Sequence, residues 1–188
     1  MTMRTALLAT VTAVALAACG SNPKPAEQPA APAAASTAKQ GIANLASASG
    51  SLVSGKITLV PMADGVHLTG EVGGLPANSA HGFHVHEKGD CSAVDASSAG
   101  PHFNPTGTTH GKAGGGAHHA GDMDNVTANA EGVARINVHL TGVTLGGGAP
   151  NDIAGRALIV HGAPDDYSSQ PAGNAGARVA CGIITVTQ

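Results

Sequence analysis

The sequence predicts an all-β domain in which short antiparallel strands pack as two sheets. Three observations carry this. No segment sustains the spacing of an amphipathic helix. Six stretches have strand length and strand composition, and Gly, Pro or Asp turns separate them. In chain order they are SLVSGKITLV from Ser51, GVHLTGEV from Gly65, HGFHVHE from His81, GVARINVHL from Gly132, GRALIVH from Gly155 and ACGIITVTQ from Ala180. Val, Ile, Leu and Ala face inwards. The first two join at Met62-Ala63-Asp64-Gly65, a hairpin turn carrying Asp-Gly between alternating strands. Long excursions after Glu87, from about Gly100 to Ala130 and after His161 are where chemistry is expected.

Ahead of the strands, residues 1–18 have an early Arg4, an apolar Ala/Leu/Val run and small residues before Cys19, the shape of a signal peptide. The run is too short and Ala-rich for a membrane span. Leu16-Ala17-Ala18-Cys19 resembles a bacterial lipobox, which implies cleavage before Cys19 and a lipid on it. Ordinary secretory cleavage also fits, because Ala15-Leu16-Ala17 has the small-x-small pattern. From Cys19 to residue 46 the chain is rich in Pro and Ala and reads as a linker spacing a domain of residues 47–188 from a membrane. About 140 residues suffice for one core. Charged residues make up 11%, aromatics 2% and the net charge is −3, so there is no basic surface for nucleic acid and the partner should be small.

Six of the ten histidines lie between Gly82 and Asp122. His84 and His86 share one face of a strand, roughly 6.5–7 Å apart, so both imidazoles can close on one ion. Such a pair alone is weak evidence, since strand histidines are also structural. GPHFNP adds His102, and THGKAGGGAHHAGD adds His110, His118, His119 and Asp122. Nitrogen and oxygen ligands without sulfur suit Zn or Cu better than Ca or Mg. A solvated His/Gly loop is the competing reading, but GPHFNP is not low-complexity. His67 and His139 lie in strand patterns without partner motifs and read as surface or structural residues. His81 is one residue out of parity with His84 and His86 and is left out of the site.

GFHVHEKGDC, GPHFNP, HHAGD, IVHGAPDD and GNAGARVACG together resemble the copper,zinc superoxide dismutases of bacterial periplasmic type, from about Leu52 to Gln188. The resemblance implies a Greek-key β-sandwich or flattened, immunoglobulin-like barrel with long metal-binding and electrostatic loops. It implies dismutation of superoxide through alternate reduction and oxidation of copper, with zinc alongside. Copper would be held by His84, His86, His102 and His161, and zinc by His102, His110, His119 and Asp122, so that His102 bridges the two. His119 is preferred to its neighbour His118 because the family's ligand stands three residues before the Asp.

The same resemblance makes Asp165 the carboxylate that orients His84 and His110, and Arg178 the cation that draws in the anion. It pairs Cys91 with Cys181, which leaves Cys19, the third cysteine, for lipid. The location implied is a Gram-negative periplasm, with the outer membrane favoured because Gly20 follows Cys19. Lys88 stands where eukaryotic members usually carry an apolar dimer residue, so a monomer or a bacterial-type homodimer is expected. Ala172 replaces a Thr common at the channel. Two rivals are a metal buffer on the same fold, which has no use for Arg178, and a metal hydrolase, which needs an open zinc position.

Overall fold

The computed structural model describes residues 35–187. The leader, Cys19 and the linker through residue 34 lie outside the described residues. Nine strands follow: β1 (Gln40–Ser47), β2 (Ser54–Met62), β3 (Gly65–Gly73), β4 (Ala80–His81), β5 (Phe83–His86), β6 (Val126–Thr127), β7 (Ala134–Thr141), β8 (Ala157–His161) and β9 (Arg178–Thr187). A single 3-10 turn, Ser97–Ala99, is the only helical segment among the described residues.

Each of the six predicted strands is present, and Met62 pairs with Gly65 across the predicted turn. One boundary needs correction. The linker was read as far as residue 46, but β1 begins at Gln40 and pairs with both β2 and β9. Its inward face is Gly41, Ala43 and Leu45, with a single large apolar side chain, so composition resembles the linker while the backbone pairs on two sides. The all-β antiparallel architecture is as expected, with two sheets that share one strand in the order β5-β8-β9-β1-β2-β3-β7, beside a small β4-β6 pair. The joint is β9, whose residues Arg178 to Ile183 pair with β8 while Ala180 to Thr187 also meet β1.

Alternation places the core. Ile57, Leu59, Val66, Leu68, Phe83, Val85, Leu158, Val160 and Ile184 pack together with almost no exposure. Burying each large aliphatic or aromatic side chain contributes about 1.5–3 kcal/mol. On β5, Phe83 and Val85 join this core, so His84 and His86 project from the opposite face and are nonetheless buried. Loops cover them. A smaller cluster of Ala48, Ala96, Ala99, Ala157, Ile159 and Cys181 underlies the loop after β5. Cys91 in that loop is disulfide-bonded to Cys181 on β9, as expected, with 5.8 Å between Cα atoms.

Candidate metal centre

Val85, between the two strand histidines, organises the site through its backbone. Its N–H donates to Gly121 O at 2.9 Å, its C=O accepts from Phe103 N at 2.8 Å, and Gly121 N donates to Phe103 O at 2.9 Å. Three segments are thereby laid side by side, which sets His102 opposite His86 and Asp122 opposite His84. A Cβ on Gly121 would overlap the Val85 carbonyl, so only glycine permits this approach. His161 ends β8 two residues beyond Ile159, the partner of His84, so alternation puts it on the same face.

The six histidines and Asp122 singled out in the sequence thus come together as two buried groups. His84, His86, His102 and His161 form one; His102, His110, His119 and Asp122 form the other. In each, one ligand atom per residue lies within 4.8 Å of the others. His102 belongs to both. The ring nitrogens show which atoms remain free. His84 Nε2 donates to Asp165 Oδ2 at 2.8 Å and His110 Nε2 to Asp165 Oδ1 at 3.0 Å, so one carboxylate orients a ring from each group. His86 Nδ1 donates to Gly100 O at 2.8 Å. His84 Nδ1, His102 Nε2, His110 Nδ1 and His119 Nδ1 are buried without a hydrogen-bond partner.

Such orphaned atoms normally cost about 1–3 kcal/mol each, so four within one site call for a bound partner. Cations fit. In the second group, Asp122 oxygens lie 2.8 Å from His102 Nδ1, 3.0 Å from His110 Nδ1 and 3.3 Å from His119 Nδ1. The latter two are not aligned as hydrogen bonds. Zn–N bonds of about 2.0–2.1 Å put the ligand atoms of a tetrahedral shell roughly 3.3 Å apart, so the spacing suits zinc. In the first group, His86 Nε2 lies 3.4 Å from His161 Nε2. Four nitrogens without sulfur or carboxylate suit copper.

The electrostatics keep these donors available. Burial lowers His84 to about 4 and His161 to about 3, and pushes His86 well below the ordinary 6.5. Their rings are neutral near pH 7, with lone pairs to offer. Burial would raise Asp122, but hydrogen bonds from His102 and from the N–H groups of His119 and Gly111 outweigh it and hold the carboxyl well below its ordinary range. Burial likewise opposes charge on Asp165, which His84 and His110 overcome by donating to it. The same burial opposes charge on His110, but Asp165 and Asp122 outweigh it and raise its pKa.

The first group opens on a cleft of about 760 Å³ whose walls include His86, His102, His161, Ala172, Arg156 and Arg178. Arg178 donates to the carbonyls of Ala96 and Gly100, both at 2.7 Å. Gly100 O also accepts from His86, so one oxygen ties the guanidinium to a ligand ring. Burial lowers the Arg178 pKa against the pull of Asp95, yet a guanidinium remains charged throughout the physiological range.

Several functional residues escaped the sequence. Arg156 stacks on Phe103, 3.7 Å from the ring centroid, and donates to Glu87 O and Asp152 O. Asn125 grips the backbone of Asp165 with both ends of its amide, and Gln170 does the same to His110. Gly173, at φ 64°, packs so closely on the Asp165–His110 contact that any Cβ would overlap the carboxylate. Only the GNAG glycine gave a signal. His81, left out of the site, is buried and donates from Nδ1 to His161 O at 2.8 Å, which fixes backbone rather than offering a ligand. His118 Nδ1 instead meets Gly116 O at 2.9 Å and joins neither group.

Comparison with known proteins agrees with this site. The family model described as Copper/zinc superoxide dismutase (SODC) matches residues 53–184. Two proteins of Aquifex aeolicus (strain VF5), Superoxide dismutase [Cu-Zn] 2 and Superoxide dismutase [Cu-Zn] 1, are each 44% identical to the chain. The first alignment covers 70% of this chain and 79% of the relative; the second, 69% and 79%. Among solved structures, the clock protein EA4 is similar with a TM-score of 0.71 and 40% identity, over 80% of this chain and 96% of that one. A double mutant of a SOD-like protein from Bacillus subtilis has a TM-score of 0.69 and 35% identity, over 77% and 96%.

Proposed function

Because the chain belongs to the copper/zinc superoxide dismutase family and its reaction is the conversion of two superoxide ions and two protons to dioxygen and hydrogen peroxide, we propose how its own residues divide that work. His84 Nδ1, His86 Nε2, His102 Nε2 and His161 Nε2 would hold copper. His102 Nδ1, His110 Nδ1, His119 Nδ1 and Asp122 would hold zinc. The observation that carries this assignment is the His102 ring, whose two nitrogens serve different groups of buried donors. Copper would supply the one-electron couple that the reaction needs, whereas zinc would have no redox chemistry and would shape the field.

The protein does the rest. Arg178 attracts the anion and orients it in the cleft. Asp165 fixes the tautomers of His84 and His110, and such partners commonly change metal affinity by about 10–100-fold. His102, on the wall of the cleft, would be the ring within reach of the substrate through which a proton could be handed on. Metal analysis with a superoxide-decay assay on the full chain tests this reading. One copper and one zinc per chain with rapid dismutation is expected, and His102→Ala should abolish the rate. Both metals bound without dismutation would favour the buffer reading instead.

The finer address belongs to the same proposal. The chain is exported to a Gram-negative periplasm, cleaved after residue 18 and lipidated on Cys19, with residues beyond it spacing the enzyme from the outer membrane. Support comes from the leader composition and from the Cys91–Cys181 disulfide, which persists in oxidising compartments. Lys88 is exposed, in keeping with a monomer or a bacterial-type homodimer rather than the eukaryotic pairing. Radiolabelled palmitate incorporated by wild type but not by Cys19→Ser, with the variant released from membranes, is the expected result. Equal labelling of both would remove the anchor.

A further inference from the structure

Outside the buried centre, two histidines meet on the solvent face of the sheet. His67 on β3 and His139 on β7 are direct cross-strand partners. Their neighbours Val66, Leu68 and Leu140 point into the core, so both imidazoles point outward. The ring centroids lie 6.0 Å apart with planes tilted by 34°. Asp64, in the β2–β3 turn, lies 3.0 Å from His139 Nε2 through Oδ1. A carboxylate only accepts, so Nε2 carries the proton and His139 Nδ1 keeps its lone pair.

This is the device found in the core, where Asp165 accepts from His84 Nε2 and leaves Nδ1 for a metal. We propose that His67 and His139 form a third metal site, open to solvent, which takes a divalent ion of the zinc or copper(II) class. Directly opposed residues of an antiparallel pair carry Cβ atoms about 4.5–5.5 Å apart, within the span two imidazoles bridge by modest side-chain rotation. Imidazole selects borderline ions over calcium or magnesium. Asp64 orients His139 and adds negative charge beside the ion. Arg135, four residues along β7, is roughly 13 Å away along the strand and pairs with Glu71, so no neighbouring cation on these strands opposes binding. With two protein ligands and water in the remaining positions, this site exchanges its ion freely, unlike the enclosed groups.

The test uses the full chain with both buried sites already loaded with copper and zinc and freed of excess metal. Titration with zinc ion, followed by calorimetry and metal analysis, is expected to show a third equivalent. It should be lost in His67→Ala and in His139→Ala and retained in His118→Ala. Asp64→Asn should weaken it about tenfold. The histidines are at the surface, so the variants should keep the wild-type dismutation rate, which reports folding. Absence of a third equivalent in the wild type, its persistence in both histidine variants, or its loss in His118→Ala would overturn the proposal. Undiminished affinity in Asp64→Asn would remove Asp64 from it.

Discussion

Arg178 and His86 share the carbonyl oxygen of Gly100, and this contact separates guiding substrate from holding metal. Removing the guanidinium leaves the His86 hydrogen bond intact. Arg178→Glu is therefore expected to lower the second-order rate by about tenfold or more, within the range of electrostatic steering for which this family is itself a known example. Metal content should be unchanged, and an undiminished rate at low salt would exclude Arg178 from anion capture. Gln170 behaves in the opposite way, since its amide touches the backbone of His110 and no part of the copper group. Gln170→Ala should speed zinc loss to a chelator about tenfold while copper stays bound. Equal release from variant and wild type would show that the clamp is idle. Most of the histidines were legible because they crowd into the stretch from Gly82 to Asp122, whereas His161 was found through the family resemblance. Gln170, Asn125 and Arg156 were not, because their partners lie 60, 40 and 69 residues away and an amide or a guanidinium in a loop carries no signature of its own.

Among the elements, β9 ties the sheet to the site. It pairs with β1 and β8, starts with Arg178, and carries Cys181 three residues later. The loop that Cys91 anchors to it contains Ala96 and Gly100, both acceptors for Arg178. Closing 90 residues of chain stabilises the fold by roughly 4–5 kcal/mol in the chain-entropy model. The double variant Cys91→Ala, Cys181→Ala should unfold at markedly lower denaturant, and its rate per bound copper should fall as the acceptors of Arg178 loosen. A variant with unaltered rate per copper would confine the bond to stability. Strand positions were readable wherever large apolar residues alternate, as in Lys56-Ile57-Thr58-Leu59. β1 was concealed because its inward residues are mostly as small as those of a linker, and no sequence period specifies that β9 would join the two sheets.

For the whole molecule, buried imidazoles make the metal-free protein sensitive to acid. His84, His161, His86 and His119 all have lowered pKa values, chiefly through burial. Below about 6.5 the unfolded chain takes up protons that these folded groups refuse, so stability falls with pH through that window, down to about 4 for His84 and about 3 for His161. His84 alone contributes roughly 3 kcal/mol to this slope. His110, raised by its carboxylates, works in the opposite direction: its contribution is present below 6.5 and fades as pH rises through its folded value. Four groups outweigh one. Denaturant midpoints of the metal-free chain should therefore decline from pH 7 to pH 4, and a flat profile would contradict the burial argument. The single ring of His102, facing both groups, carries a last consequence. Whatever binds at one nitrogen acts on the other through the same ring, so filling one pocket changes the affinity of the other. Thermodynamic reciprocity requires the same factor in both orders of loading. The two affinities are therefore not separate constants, and each has a value only for a stated filling of the other pocket.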